Sequence, residues 1–247
     1  MKKILMGIFA LTLLVSCNMH DNEDSNVANR WTSIATVQNS GLRSDFYFRL
    51  DNNDLMWVRS TNFPNYVPKD GQRIIADYNI LSVNNESALY NHKVALVDVY
   101  EVLTKGIFAI TPATQDSIGN NPIEVRQMWI GSDYLNVEFN YYGYNKIHFI
   151  SLVKDAAKTY TDNKVHLEFR HNANADATSY SRWGVVSFKL STLKQSAVGD
   201  SVNLVIHTKE FGSAADRSYN LTYKFGALAT QQQVRKMVMP SKEFVVE

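Results

Sequence analysis

Period-two alternation governs most of this chain. Over residues 133–142, Leu135, Val137, Phe139 and Tyr141 fall on one side, and Asn136, Glu138 and Asn140 on the other. Successive side chains of a strand point to opposite faces, so such a run can bury one face and wet the other. The same signature returns in residues 164–170 with Val165, Leu167 and Phe169, and in residues 184–190 with Gly184, Val186, Phe188 and Leu190. It returns again in residues 202–209 with Val202, Leu204 and Ile206, and in residues 219–225 with Tyr219, Leu221, Tyr223 and Phe225. Turn residues separate the runs. This spacing predicts two packed antiparallel sheets. Residues 143–146 read as a turn and 147–153 as its returning strand, which predicts a hairpin.

The first half reads as strands too. Residues 34–38, 45–51, 55–59, 73–83 and 93–104 are the candidates, with Phe46, Phe48 and Leu50 on one face and Ile74, Ala76, Tyr78 and Ile80 inward. Asn52-Asn53-Asp54 supplies turn chemistry, and Pro64, Pro68 and Asp70-Gly71 break the chain. Residues 84–91 read as a polar turn. Short strands with sharp breaks suit a small closed barrel of the OB-like kind. Pro112, Gly119 and Pro122 mark a boundary. The expected fold is therefore all-β: an OB-like barrel over residues 31–110, a linker over 111–125 and a β-sandwich over 126–247. No long amphipathic helix and no internal repeat interrupts this pattern.

The first residues carry an address. Met1-Lys2-Lys3 precedes an apolar run that ends near Val15. That run is shorter than the roughly 20 residues a membrane-spanning helix needs, so residues 1–16 read as a secretory signal. Leu14-Val15-Ser16-Cys17 resembles the bacterial lipobox, which implies a diacylglyceryl group on the Cys17 sulfur and Cys17 as the mature N-terminus. Each buried acyl methylene contributes about 0.8 kcal/mol, and two chains are enough for stable attachment. Residues 17–30 are polar and acidic, and are expected to form a flexible tether with a reach of about 20 Å. Asp21, Glu23 and Asp24 resemble an acidic export signal of some anaerobes, which implies an outer-membrane lipoprotein facing the cell surface. A periplasm-facing anchor is the alternative.

Composition excludes some functions. The chain of 247 residues has 25 basic and 24 acidic side chains. Loss of Lys2 and Lys3 with the signal leaves 23 against 24, too neutral for a surface that tracks phosphates, so no nucleic-acid partner is expected. Cys17 is the only cysteine, which removes disulfides and thiolate metal sites from consideration.

Several motifs, in their order, resemble the NigD-like lipoproteins. Residues 71–78, Gly-Gln-Arg-Ile-Ile-Ala-Asp-Tyr, followed by residues 94–105, resemble the N-terminal OB-type domain of that family. The run 129–139, His148 before an apolar strand, residues 167–172 (Leu-Glu-Phe-Arg-His-Asn) and residues 184–190 resemble its C-terminal β-sandwich. The resemblance covers essentially the whole mature chain. It implies a lipoprotein of gut or oral anaerobes, and through the family's name a role in immunity to a bacteriocin. It brings no catalytic residues.

The residues offer little chemistry of their own. There is no Gly-x-Ser-x-Gly elbow, no phosphate-cradling glycine loop and no His-Glu-x-x-His pair. Residues 51–54 lack the glycine and closing glutamate of a calcium loop. No cofactor and no metal is expected. His166, Glu168 and Arg170 share a strand face, read as solvated, and His171 points the other way. Arg170-His171-Asn172 reads as a hydrogen-bonded strand-end corner. Glu138 and Glu168 are read as solvated; as a glycosidase pair they would have to stand about 5–10 Å apart. Tyr141, Tyr142, Tyr144 and the four tryptophans are read mainly as core. Asp116-Ser117-Ile118 and Asp200-Ser201-Val202 resemble a short O-glycosylation motif, which nominates Ser117 and Ser201.

Three functions follow as expectations. The first is a non-catalytic binding module that is tethered to the membrane by its lipid and captures an envelope protein, a toxin or a glycan. The second is a hydrolase of an envelope polymer or glycan, for which Glu138, Glu168, Asp176 or His171 would have to converge in a cleft. The third is a structural part of an outer-membrane assembly.

Overall fold

The computed structural model describes residues 30–226, apart from residues 43–44, 63–64, 84–88, 198 and 214. The signal segment, Cys17, the acidic residues Asp21, Glu23 and Asp24, and most of the polar turn before residue 92 lie outside the described residues.

Five strands close into a barrel: β1 (Arg30–Leu42), β2 (Asp45–Leu50), β3 (Leu55–Thr61), β4 (Arg73–Val83) and β5 (His92–Glu101), in the order β1-β2-β3-β5-β4. The inward register is as the alternation predicts. Ala35, Val37, Phe46, Phe48, Leu50, Met56, Val58, Ile74, Ala76, Tyr78, Val94 and Leu96 form its core. The β2–β3 turn works because Asn53 takes a left-handed conformation (φ 76°), which Asn tolerates better than most residues.

Beyond the barrel come β6 (Leu103–Lys105), β7 (Ile107–Ile110), a short helix α1 (Gln115–Ile118), β8 (Glu124–Gly131), β9 (Tyr134–Gly143), β10 (Phe149–Asp155), β11 (Val165–Asn172), β12 (Tyr180–Lys189), β13 (Ser201–Thr208) and β14 (Arg217–Lys224). They form a four-stranded sheet, β6-β12-β9-β8, and a five-stranded sheet, β14-β13-β11-β10-β7. Leu135, Val137, Phe139, Ile150, Leu152, Leu167, Phe169, Val186, Phe188, Leu204, Ile206 and Tyr223 fill the space between the sheets. Gly184 is required there, since a Cβ would stand 2.7 Å from Cζ of Phe139.

Three expectations need correction. Residues 103–110 do not belong to the barrel, and 111–125 is not a free linker. Leu103 pairs in parallel with Val186, and Ile107 in parallel with Leu152, so β6 and β7 are edge strands of the sandwich. Ile110 and Ile123 are fully buried, and β8 already begins at Glu124. The chain thus passes from barrel to sandwich in one step after Val102. Strands of three and four residues carry too little pattern to declare a register, and their parallel partners lie far along the chain. The hairpin expected over residues 133–153 is also absent. Both edges of β9 are taken, by β8 and β12, so the chain crosses to the other sheet and β10 pairs with β11 and β7.

The barrel packs on the outer face of the four-stranded sheet. Ile34 and Ile75 of the barrel, Val102 at the junction, and Trp129 and Val185 of the sheet form an apolar cluster there. Beside it lies a buried polar lock. The guanidinium of Arg73 donates to both oxygens of Asp51 (2.6 and 2.9 Å), to Thr36 Oγ1 (3.0 Å) and to Oδ1 of Asn136 across the interface (3.0 Å). Asn136 Nδ2 returns a bond to Asp51, and Ser187 Oγ donates to Asn136. Arg73 also lies 4.3 Å from the Tyr134 ring centroid. At Gly131 a Cβ would overlap the Asp51 carboxylate. A charge left unpaired at such a site would cost several kcal/mol, so the lock ties the two domains together in one orientation.

Candidate functional site

The nominated carboxylates stand apart. Glu138 lies on β9 between Val137 and Phe139, both core residues of the sandwich, so its side chain leaves through the outer face of the four-stranded sheet. It accepts a bond from Trp183 Nε1 (2.9 Å) and pairs with Arg126 at 3.7 Å. Glu168 lies on β11 between Leu167 and Phe169, and leaves through the outer face of the five-stranded sheet. Packed sheets are about 10 Å apart, so two carboxylates on opposite outer faces stand well beyond the spacing a glycosidase pair needs.

The face of Glu168 corrects another expectation. Glu168 and Arg170 are buried rather than solvated, each about 6% exposed. Glu168 accepts from Lys158 Nζ (2.6 Å) and from Arg170 Nε (2.6 Å). The Glu168 bond is the first cause of a Lys158 ammonium held above its usual range, with burial opposing. His166 is covered as well, with the Tyr160 ring lying parallel over it at 3.5 Å between centroids. His166 bridges Asp162 (2.9 Å) and His207 (2.9 Å), and His207 reaches Ser218 (2.9 Å). Burial, then the neighbouring His166, pushes the His207 imidazole below its ordinary value.

His171 forms the predicted strand-end corner, with partners the strand pattern does not reveal. Its Nδ1 meets the Pro122 carbonyl (3.1 Å) and its Nε2 meets Nδ1 of His148 (2.8 Å). His148 Nε2 in turn lies 3.1 Å from Asp176 Oδ2. A carbonyl can only accept, so His171 carries its proton on Nδ1 and His148 Nδ1 is the donor between the rings. The third contact is a hydrogen bond only with one further proton between His148 and Asp176. Burial pushes the His171 imidazole down to about 4. Burial pushes the Asp176 carboxyl up, but the Tyr144 N–H, His148 and the Asn145 N–H outweigh it and hold the group below the usual carboxylate range. These bonds fasten the β9–β10 crossover to the loop after β11. Of the nominated residues, the fold brings together only His171 and Asp176, and it closes them inside the protein. His148 is the member that periodicity missed. Its position before an apolar run was the available signal.

Among the described residues, no three His, Cys, Asp or Glu side chains are placed to hold a metal ion. Ser117 is exposed on α1, where its Oγ donates to the Thr114 carbonyl (2.8 Å). Ser201 opens β13 and is half-buried. Tyr141 and Trp129 are core, as expected. Tyr142, Tyr144 and Trp31 are exposed, with Tyr144 stacked on Tyr180 and Tyr142 edge-on to Phe211. No described helix is long and apolar enough to cross a membrane.

Residues 34–102 match the model of the NigD-like N-terminal OB domain, and residues 106–223 that of the NigD-like C-terminal beta sandwich domain. The gap between the two matches falls where the chain leaves the barrel. A toxin-related protein, so named, from Parabacteroides distasonis is 33% identical, with a TM-score of 0.66 over 79% of this chain and 93% of its own. A protein of unknown function from Bacteroides vulgatus is 26% identical, with a TM-score of 0.69 over 83% and 98%. A protein named a NigD-like immunity protein from Bacteroides caccae shares the fold at 18% identity, with a TM-score of 0.63 over 78% and 96%. No curated protein matches the chain.

Proposed function

Because the chain belongs to the NigD-like family through both of its domains, we propose that it is a non-catalytic binding module of the cell envelope. One observation carries this reading. Each carboxylate and histidine nominated for catalysis is engaged by a neighbour within the fold, and Glu138 and Glu168 emerge on opposite faces. A hydrolase of glycans would hold two carboxylates across one open cleft. The buried Arg73 lock adds support, since a rigid pair of domains loses little freedom on binding and suits capture. The names of two similar structures, one an immunity protein and one toxin-related, suggest a toxin as the partner.

In this reading lipid on Cys17 holds the protein to the outer membrane, facing the cell surface, and Ser117 is a better glycan acceptor than the half-buried Ser201. Capture from envelope extracts and toxin preparations tests the binding role, alongside a turnover screen on glycosides, peptides and esters. Reproducible hydrolysis lost in Glu138→Gln or Glu168→Gln would overturn it. Cys17→Ala is expected to leave the detergent phase in phase partitioning. Retention there would remove the anchor. Protease shaving of intact cells reads the leaflet, and full protection would place the protein inside.

A further inference from the structure

The barrel is filled at its middle and open at one end. There, every strand contributes a residue to a cavity of about 280 Å³: Trp31 from β1, Leu50 from β2, Met56 from β3, Tyr78 and Ile80 from β4, and His92 from β5. The pairings Trp31 with Tyr78 and Met56 with His92 place these side chains around one ring. The lining is chiefly apolar, with three polar exceptions. Asn52 and Asp54 stand on the β2–β3 turn, where Asn52 Nδ2 donates to Asp54 Oδ2 (2.7 Å). His92 lies on the wall, and its buried Nδ1 has no hydrogen-bond partner among the described residues. A buried polar nitrogen without a partner is costly in a finished core, and a ligand is one way to complete its bonding. Trp31 stands over the cavity, about 46% exposed.

We infer that this open barrel end is a binding site for an aralkyl amine, a single or fused aromatic ring on a short arm that ends in an ammonium group. Size sets the first limit. Ligand pockets for larger molecules run from about 300 to 1,000 Å³, so this one takes a ring and a short arm and little more. Charge sets the second. Among the described residues the lining holds one carboxylate, Asp54, and no lysine or arginine, which selects a cation over an anion. The ring would lie among Leu50, Met56 and Ile80 against Trp31, the ammonium at Asp54, and a polar group on the ring within reach of His92. This inference rests on the reading of the protein as a binding module, and it assigns that module one site.

The test uses the chain from Asn18 onward, without the Cys17 proposed to bear lipid, and it contains every described strand of both domains. Tryptamine is titrated by amide NMR shifts, beside uncharged 3-methylindole and anionic indole-3-acetate. Tryptamine is expected to saturate with a Kd of about 1 mM or tighter, shifting Trp31, Asp54 and His92, with indole-3-acetate at least tenfold weaker. Asp54→Asn is expected to weaken tryptamine about tenfold and leave 3-methylindole unchanged. Trp31→Ala, at an exposed position, is expected to weaken both. Equal binding of all three probes, no saturation by 10 mM tryptamine, or shifts confined to the sandwich would overturn the assignment. A chain that ignores every amine yet still captures an envelope partner loses this site and keeps the binding role. A chain that hydrolyses a polymer loses the binding role, whatever the barrel does with tryptamine.

Discussion

On the four-stranded sheet, outward positions Asn136 and Ser187 meet the barrel and disappear into the Arg73 lock. On the five-stranded sheet, outward positions Glu168 and Arg170 pair with each other, and Lys158 and Tyr160 fold over that face. Both faces present polar residues at alternate positions of strands. The first is closed by a domain and its polar atoms bridge two units. The second is closed by side chains that still touch water, since the Lys158 side chain is 46% exposed. The depth of the cover therefore sets what each polar group is worth, and the two faces make that difference measurable.

The largest effect is expected at the deeper face. Arg73→Ala leaves the Asp51 carboxylate in a closed interface with Asn136 as its remaining partner across the joint. Breaking a buried pair in this way costs about 3–5 kcal/mol. Urea unfolding should show that loss and a separation of barrel and sandwich transitions, with the Trp129 and Trp183 signals following the joint. A loss under about 1 kcal/mol would mean that the lock adds nothing beyond the apolar cluster at its side.

The closed end of the sandwich lies between these cases. His171 is neutral in the folded chain down to about pH 4, while an unfolded histidine takes up a proton near 6.5. Between those values the unfolded state binds a proton that the native state refuses, so stability falls as pH drops through that window. The difference corresponds to about 3 kcal/mol, fully lost below pH 4. His207 has the same sign, and Asp176 takes over at lower pH because its carboxyl is held below its usual range. Urea midpoints from pH 7 to 4 should slope downward, and His171→Gln should flatten much of that slope. An unchanged slope would assign it to other groups.

Glu168→Ala tests the shallower face. Arg170 and Lys158 lose their shared acceptor, but the Lys158 side chain is 46% exposed and its ammonium can turn to water. A loss of about 1–3 kcal/mol is expected, as for a charged hydrogen bond. A loss equal to that of Arg73→Ala would erase the contrast between the two faces.

The same contrast explains what could be read in advance. Alternation places Leu135, Val137 and Phe139 inward and Glu138 outward without reference to the rest of the molecule, and five strands with hard turns announce a barrel. Alternation cannot say what covers an outward face. Asn136 and Glu168 look alike along the chain, and only the docking of a barrel on one side and of Lys158 on the other tells them apart. Pairing over long separations is equally silent, which is why residues 103–110 joined the sandwich unannounced and the crossover after Gly143 passed for a hairpin. The ring of residues at the barrel mouth was hidden for the same reason. Trp31, Met56 and His92 are scattered along the chain, and closure of the barrel brings them together.

The smallest effect should come from the rim of the covered sheet. Arg126 stands on β8 with its side chain 54% exposed, 3.7 Å from Glu138. It belongs to the same sheet and the same side as Asn136, but the barrel does not enclose it. A pair with one such exposed partner contributes roughly 0–1 kcal/mol, because the arginine keeps most of its water and salt screens the rest. Glu138 also retains its bond from Trp183 Nε1 when the arginine is removed, so no acceptor is stranded. Arg126→Ala should therefore move the urea midpoint by no more than the equivalent of about 0.5 kcal/mol, and added salt should make the variant and the parent converge. A loss near that of Arg73→Ala would show that membership of the covered sheet, and not enclosure by the barrel, sets the value of its charges.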